Sequence, residues 1–160
     1  MLAAELPMLA IQQLLECYGL KLVALEPEAV IPGSYWGEAE AGIIGRTIYI
    51  RPDTPVHSLL HETCHVICMD EERRQKLHTD AGGETSEEDA VCYLQILLAD
   101  EFPAFGKVRA LLDMDRWGYT FRLGSAQRWF EEDAEDARLW LLKRQLIDSQ
   151  NRPNFILRSS

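Results

Sequence analysis

Residues 51–70, RPDTPVHSLLHETCHVICMD, constrain the fold more tightly than any other stretch of the chain. Pro52 cannot donate to a sheet ladder, so it stops the β-forming run Thr47-Ile48-Tyr49-Ile50 that precedes it. Pro55 suits the first position of a helix, and Thr54 can cap it. The pattern predicts a helix over residues 55–69. Three of the chain's four histidines lie in it, at His57, His61 and His65. Each helical step turns about 100°, so residues four apart share one face.

His61, Glu62 and His65 spell H-E-x-x-H. Two neutral imidazoles one turn apart can both reach one Zn²⁺ at about 2.0–2.1 Å. The glutamate beside the first histidine points off that face. There it can take the proton of a water attacking a carbonyl and pass it to the leaving amine. With His61 as origin on the wheel, His57, His65 and Cys68 fall within about 40°, and Leu60, Ile67 and Val56 lie about 100–140° away. The histidines therefore flank the apolar stripe. Histidines buried for packing alone are more often single and surrounded by apolar residues, so a site for one Zn²⁺ is the preferred reading. Three histidines along one straight helix span about 12 Å, too far for all to converge. His57 is expected to line the cleft or to pack against the connection.

A catalytic zinc usually takes three protein ligands and keeps one position open. The next apolar-periodic segment, TSEEDAVCYLQILLADEF, predicts a helix capped by Thr85 or Ser86, with Glu88 or Asp89 completing a capping box. Acids in a first helical turn are favoured by the helix dipole without any metal. The wheel separates them: Val91, Leu94 and Leu98 fall within about 40° of Glu87, whereas Glu88 points with Gln95 on the polar side. A carboxylate at the head of a buried stripe is costly unless it is paired or bound to metal. Glu87 is thus the preferred third ligand. Glu88 is the second choice, followed by His78 and Asp80 in the connection.

These motifs resemble the gluzincin metallopeptidases and, more narrowly, the ImmA/IrrE-like peptidases, small bacterial cytoplasmic enzymes. That family's core reads as a strand, a short link, an H-E-x-x-H helix, then a helix with an E-x-E-A-N-x-F-A-x-x-L-L pattern. Here the strand is RTIYI, the motif HETCH and the second helix EEDAVCYLQILL. Ala90, Tyr93, Leu97 and Leu98 fit. Val91 stands in place of the Asn and Cys64 in place of a Gly. The match covers residues 46–98. It implies ligands His61, His65 and Glu87, a general base Glu62, one Zn²⁺, and a protein substrate of regulatory type; many relatives work beside a DNA-binding partner, so a regulatory partner protein is a further expectation. The family scheme also holds substrate along an edge strand, for which TIYI is the candidate. His78 and Tyr119 are candidate oxyanion donors. The alternative is a metal-binding regulatory or interaction module that does not cut peptides.

The rest of the chain bounds this reading. With 160 residues, one domain is expected, with a metal-site core over residues 46–98, a helical part over 104–147 and a tail over 148–160. The fold class predicted is α+β and mostly helical, a minimal zincin-like domain with a small antiparallel sheet on the histidine helix. The first helix is expected over residues 7–17, a strand at KLVALE, and a hairpin within IPGSYWGEAEAGIIGRTIYIRP. Later come helices over 107–115 and 125–147. A net charge of −10 repels phosphate backbones, so direct nucleic-acid binding is disfavoured. KRQLIDSQNRPNFILR is the most basic stretch, and a solvated helix end and tail is its simpler reading. EEDAED, residues 131–136, reads as a solvated helix face or as an attractor for a basic substrate. No apolar run reaches membrane-spanning length, and the amino-terminal stretch lacks a basic n-region. A cytoplasmic protein with Cys17, Cys64, Cys68 and Cys92 as free thiols is the resulting expectation.

Overall fold

The computed structural model describes residues 1–159. Helix α1 spans Met8–Cys17, strand β1 Lys21–Ala24, β2 Gly42–Ile44 and β3 Thr47–Ile50. Helix α2 spans Val56–Cys68, α3 Glu71–Gln75, α4 Thr85–Leu98, α5 Gly106–Arg116, α6 Ala126–Glu132 and α7 Glu135–Lys143. The α+β class is as expected; the sheet is not. Its order is β1-β3-β2, with β1 parallel and β2 antiparallel to β3, so it is mixed rather than antiparallel. The parallel pair arises because β1 is followed by the long excursion 25–41 before the β2–β3 hairpin closes at Gly45, where φ is 58°.

β3 is the central strand, and this corrects the expectation that TIYI is an edge able to accept a peptide. The outer side of β2 is also occupied. Ile43 N–H donates to the Gly33 carbonyl at 3.2 Å, Gly45 N–H to Leu77 at 2.9 Å, and Thr79 N–H to the Ile43 carbonyl at 3.0 Å. Close approach of residues 31–34 to β2 depends on two glycines. A Cβ on Gly42 would lie 1.9 Å from the Pro32 carbonyl oxygen, and one on Gly33, already at φ +70°, 2.4 Å from that of Ile43.

α2 packs against β3 and against α4, and α4 packs in turn against α7 and α5. Its residues Val56, Leu59, Leu60, Val66 and Ile67 are fully buried, as are Ile43 and Ile48 of the sheet. Each such side chain contributes about 1.5–3 kcal/mol through burial. The start of α2 differs slightly from expectation. Pro55 is the N-cap rather than the first helical residue, and the Thr54 hydroxyl accepts from Arg51 N–H at 2.9 Å instead of capping. α4 likewise has Glu84 at its N-cap, with no side-chain cap bond from Thr85 or Ser86.

The far end of α2 is closed by two arginines. Arg74, 1% exposed, donates to the carbonyls of Val66 at 2.9 Å and Met69 at 2.6 Å, and pairs with Glu71. Arg158 donates through its backbone N–H to Ile67 at 3.0 Å and through Nη1 to the Cys68 carbonyl at 3.1 Å. Basic groups at a helix C-terminus satisfy the last carbonyls and oppose the helix dipole. The basic stretch near the end is therefore not a solvated tail: part of it docks on α2. The helix expected over 125–147 is broken at Asp133 and Ala134 into α6 and α7. Asp133 pairs there with Arg122. Among the described residues no helix is long and apolar enough to cross a membrane.

Candidate metal centre

One turn of α2 brings the rings of His61 and His65 together, perpendicular at 89°, with their Nε2 atoms 3.1 Å apart. The protonation of His61 follows from its neighbour. Gln95 of α4, fully buried, donates its side-chain N–H to the backbone carbonyl of His57 at 3.0 Å. A carbonyl only accepts, so the Gln95 oxygen must face His61, whose Nδ1 lies 2.9 Å away. His61 Nδ1 therefore carries the proton, and its Nε2 lone pair points toward His65. His65 Nε2, 3.1 Å away, can donate an N–H to that lone pair or, when it too is unprotonated, can share a metal ion with it.

Burial holds all three helix histidines in the neutral form that ligates metal. It lowers His61 against the opposing hydrogen bond to Gln95. It lowers His65 to about 3, with His61 and Arg73 adding to the effect, and His57 to about 4, with His61 adding again.

The acid that joins the two histidines is Glu88. Its Oε2 lies 3.5 Å from His65 Nε2, and its Oε1 accepts from Gly83 N–H at 3.1 Å. His61, His65 and Glu88 place ligand atoms within 4.8 Å of one another, a group that can hold a metal ion. Burial raises the Glu88 carboxyl above its usual range, and the Gly83 hydrogen bond opposes that.

Glu87, expected as the third ligand, is placed elsewhere. Both of its oxygens accept from Arg73 Nη1, at 2.9 and 2.8 Å, and Oε2 lies 3.4 Å from Arg158 Nη1. The premise was sound, since a carboxylate on a buried stripe requires a partner. The partner is a pair of arginines rather than a metal. Gly83 sets both acids: a Cβ there would sit 2.5 Å from Glu87 Oε1.

Glu62 lies beside the group on a half-buried cleft wall. Burial, with smaller contributions from Glu40 and Glu88, pushes its carboxyl up to about 8. The cleft opens on two sides of Trp36, Glu40 and Glu62. One side reaches His65, Glu88 and Asp80, the other His61, Trp117 and Tyr119. The loop carrying Trp36 and Glu40 is tied to α2 by the Ala41 N–H, which donates to the Ser58 hydroxyl at 3.0 Å.

Among the secondary candidates, His57 is not a ligand but a cleft residue. It is 7% exposed, and its Nδ1 lies 3.2 Å from the Tyr119 hydroxyl. Tyr119 sits edge-on to His61, with ring centroids 5.5 Å apart. His78 bridges to Ile44, and its Nδ1 contacts the Thr79 hydroxyl; it is not part of the metal-competent group. Comparison of the chain with protein-family models, curated proteins and solved structures gives no match.

Sequence reasoning missed Gln95, Gly83, Trp36 and Glu40. A signal for the first existed. Glu88, Cys92 and Gln95 repeat at i, i+4 and i+7, a narrow polar stripe along α4, and this stripe rather than the apolar one faces the histidines. Cys64 and Cys68 are buried and Cys17 is exposed; no cysteine joins the metal-competent group among the described residues.

Proposed function

We propose that the protein is a zinc-dependent peptidase that hydrolyses a bond in a specific bacterial cytoplasmic regulatory protein, in the manner of the ImmA/IrrE-like peptidases it resembles. The observation that carries this is the convergence of two Nε2 atoms and the Glu88 carboxylate, with Glu62 alongside and a cleft leading in. The donor set, two imidazole nitrogens and one carboxylate oxygen with room for a fourth partner, is one that catalytic zinc uses. Zn²⁺ bound there would act as a Lewis acid on a water and on the substrate carbonyl.

The chain's own residues do the rest. Gln95 keeps the proton on His61 Nδ1 and so leaves Nε2 free to ligate. Gly83 orients Glu88. Glu62, with an affinity for protons raised into the neutral range, takes the proton of the attacking water at its carboxylate and returns it to the departing amine. The Tyr119 hydroxyl, beside His61, is the group placed to donate to the developing oxyanion.

Two measurements test the proposal. Elemental analysis of purified protein is expected to find one zinc per chain, lost in His61→Ala and His65→Ala. Glu62→Gln is expected to keep the zinc and lose hydrolysis by about 10²-fold or more. Zinc retained with activity independent of Glu62 would leave the metal-binding regulatory module as the surviving alternative. Absence of zinc binding would remove both.

A further inference from the structure

Beside His61 and Glu62 lies a pocket of about 240 Å³ whose Trp36, Trp117 and Glu40 have no part in the hydrolytic reading. Its walls are Trp36, Trp117 and Tyr119, with His57 at the base, Glu40 on the rim and Glu62 at its junction with the metal centre. Trp36 and Trp117 are 70% and 54% exposed, unusual for indoles that serve only packing. His57 Nε2 is buried without a hydrogen-bond partner. The His57 ring packs against Trp117 and Tyr119, with ring centroids 5.0 and 5.6 Å away, and so backs the two aromatic walls.

We infer that this pocket receives an arginine side chain of the substrate, next to the scissile bond. The inference rests on the peptidase reading for the words "substrate" and "scissile"; the pocket's chemistry stands without it. A planar guanidinium stacks on indole and phenol faces, where the ring quadrupole attracts it. Glu40 supplies the opposite charge at the rim, in the bidentate manner that carboxylates offer arginine. Lysine would leave the stacking surfaces less well used. A neutral aromatic side chain would leave Glu40 unpaired. The charge of the whole chain, −10, favours the same choice.

The test uses two capped pentapeptides, acetyl-Ala-Ala-Arg-Ala-Ala-amide and its twin with citrulline for arginine, which keeps the shape and removes the charge. Binding to zinc-supplied Glu62→Gln protein, which leaves the peptide intact, is followed by quenching of tryptophan fluorescence. The arginine peptide is expected to bind about tenfold tighter. Adding Glu40→Gln is expected to bring the two within about threefold, and Glu40→Lys to reverse the preference in favour of citrulline. Both are rim substitutions, outside the core. Equal affinity for the two peptides, or a preference that survives Glu40→Lys, overturns the inference. Hydrolysis by the wild-type protein is scored separately. Cleavage of both peptides at equal rates keeps the peptidase reading and sinks the arginine pocket. A Glu40-dependent arginine preference in a protein that holds no zinc keeps the pocket and sinks the peptidase reading.

Discussion

Glu87 and Glu88 are neighbours in the chain and differ in everything else. The first is locked between Arg73 and Arg158 and nearly buried; the second is half-exposed and turned toward His65. Their substitutions should therefore separate cleanly. Glu88→Gln is expected to weaken zinc binding by about 10²-fold while stability of the metal-free protein stays within about 1 kcal/mol. Glu87→Gln is expected to leave zinc stoichiometry intact and to cost about 2 kcal/mol, because it removes the charge that opposes Arg73 and Arg158. Competition with a chelator reads the first effect and urea denaturation the second. Gln95→Leu tests the tautomer argument. It should reduce zinc affinity by about 10–100-fold through His61 alone, and Gln95→Glu should restore much of it. The histidines also set a pH dependence. His57 and His65 are neutral in the folded protein down to about 4 and about 3, whereas in the unfolded chain they take up protons near 6.5. Below that value the unfolded state takes up these two protons against the one that the folded state already holds on Glu62, so stability of the metal-free protein falls as pH drops from about 6.5 toward 4. Urea midpoints at pH 7, 5.5 and 4.5 should decline in that order, and His57→Phe should flatten the decline.

At the scale of elements, α2 is the piece on which the site depends, and its far end is closed by Arg74. Arg74→Met is expected to cost about 3 kcal/mol by leaving the Val66 and Met69 carbonyls unpaired, and to raise hydrogen exchange in the last turn, where His65 sits. The elements themselves were largely legible. Prolines bracket the start of α2, Gly19 follows α1, and Gly45 closes the β2–β3 hairpin, all signals carried by single residues. What escaped was set by tertiary contact. Nothing local breaks the run 125–147, since EEDAED is a good helical sequence; the break at Asp133 and Ala134 comes with the Arg122 pair across the loop. The acid of the metal-competent group, Glu88, escaped for a related reason. A wheel finds the inner face of a helix that has one inner face. α4 packs against α2, α5 and α7 at once, so burial covers most of its surface and the weak polar stripe, not the strong apolar one, faces the metal centre. The parallel pairing of β1 with β3 is beyond a local reading altogether, because it depends on how residues 25–41 return to the sheet.

Across the whole molecule, a charge of −10 and a cleft bordered by Glu40, Glu62, Asp80 and Glu88 make an electrostatic funnel for cations. If a cationic peptide is the substrate, kcat/KM should fall by about threefold or more as ionic strength rises from about 20 to about 200 mM, with most of the change in the association rate. Stopped-flow association of the arginine pentapeptide measures this directly. The loop over residues 81–84 has another consequence. Arg73 clamps its Ala81 and Gly82 carbonyls and Glu87 together, and Gly83 then presents its N–H to Glu88. One residue with no side chain thus sets the aim of a metal-competent carboxylate in another element. A chain that kept His61, Glu62, His65 and Glu88 but carried alanine at position 83 would still read as H-E-x-x-H with its acid. The alanine Cβ would nonetheless press on the Glu87 carboxylate, 2.5 Å away, and so on the clamp that holds the loop. The metal-competent group would then be disturbed from a residue that no motif contains, and the change would be read from the loop rather than from the histidines.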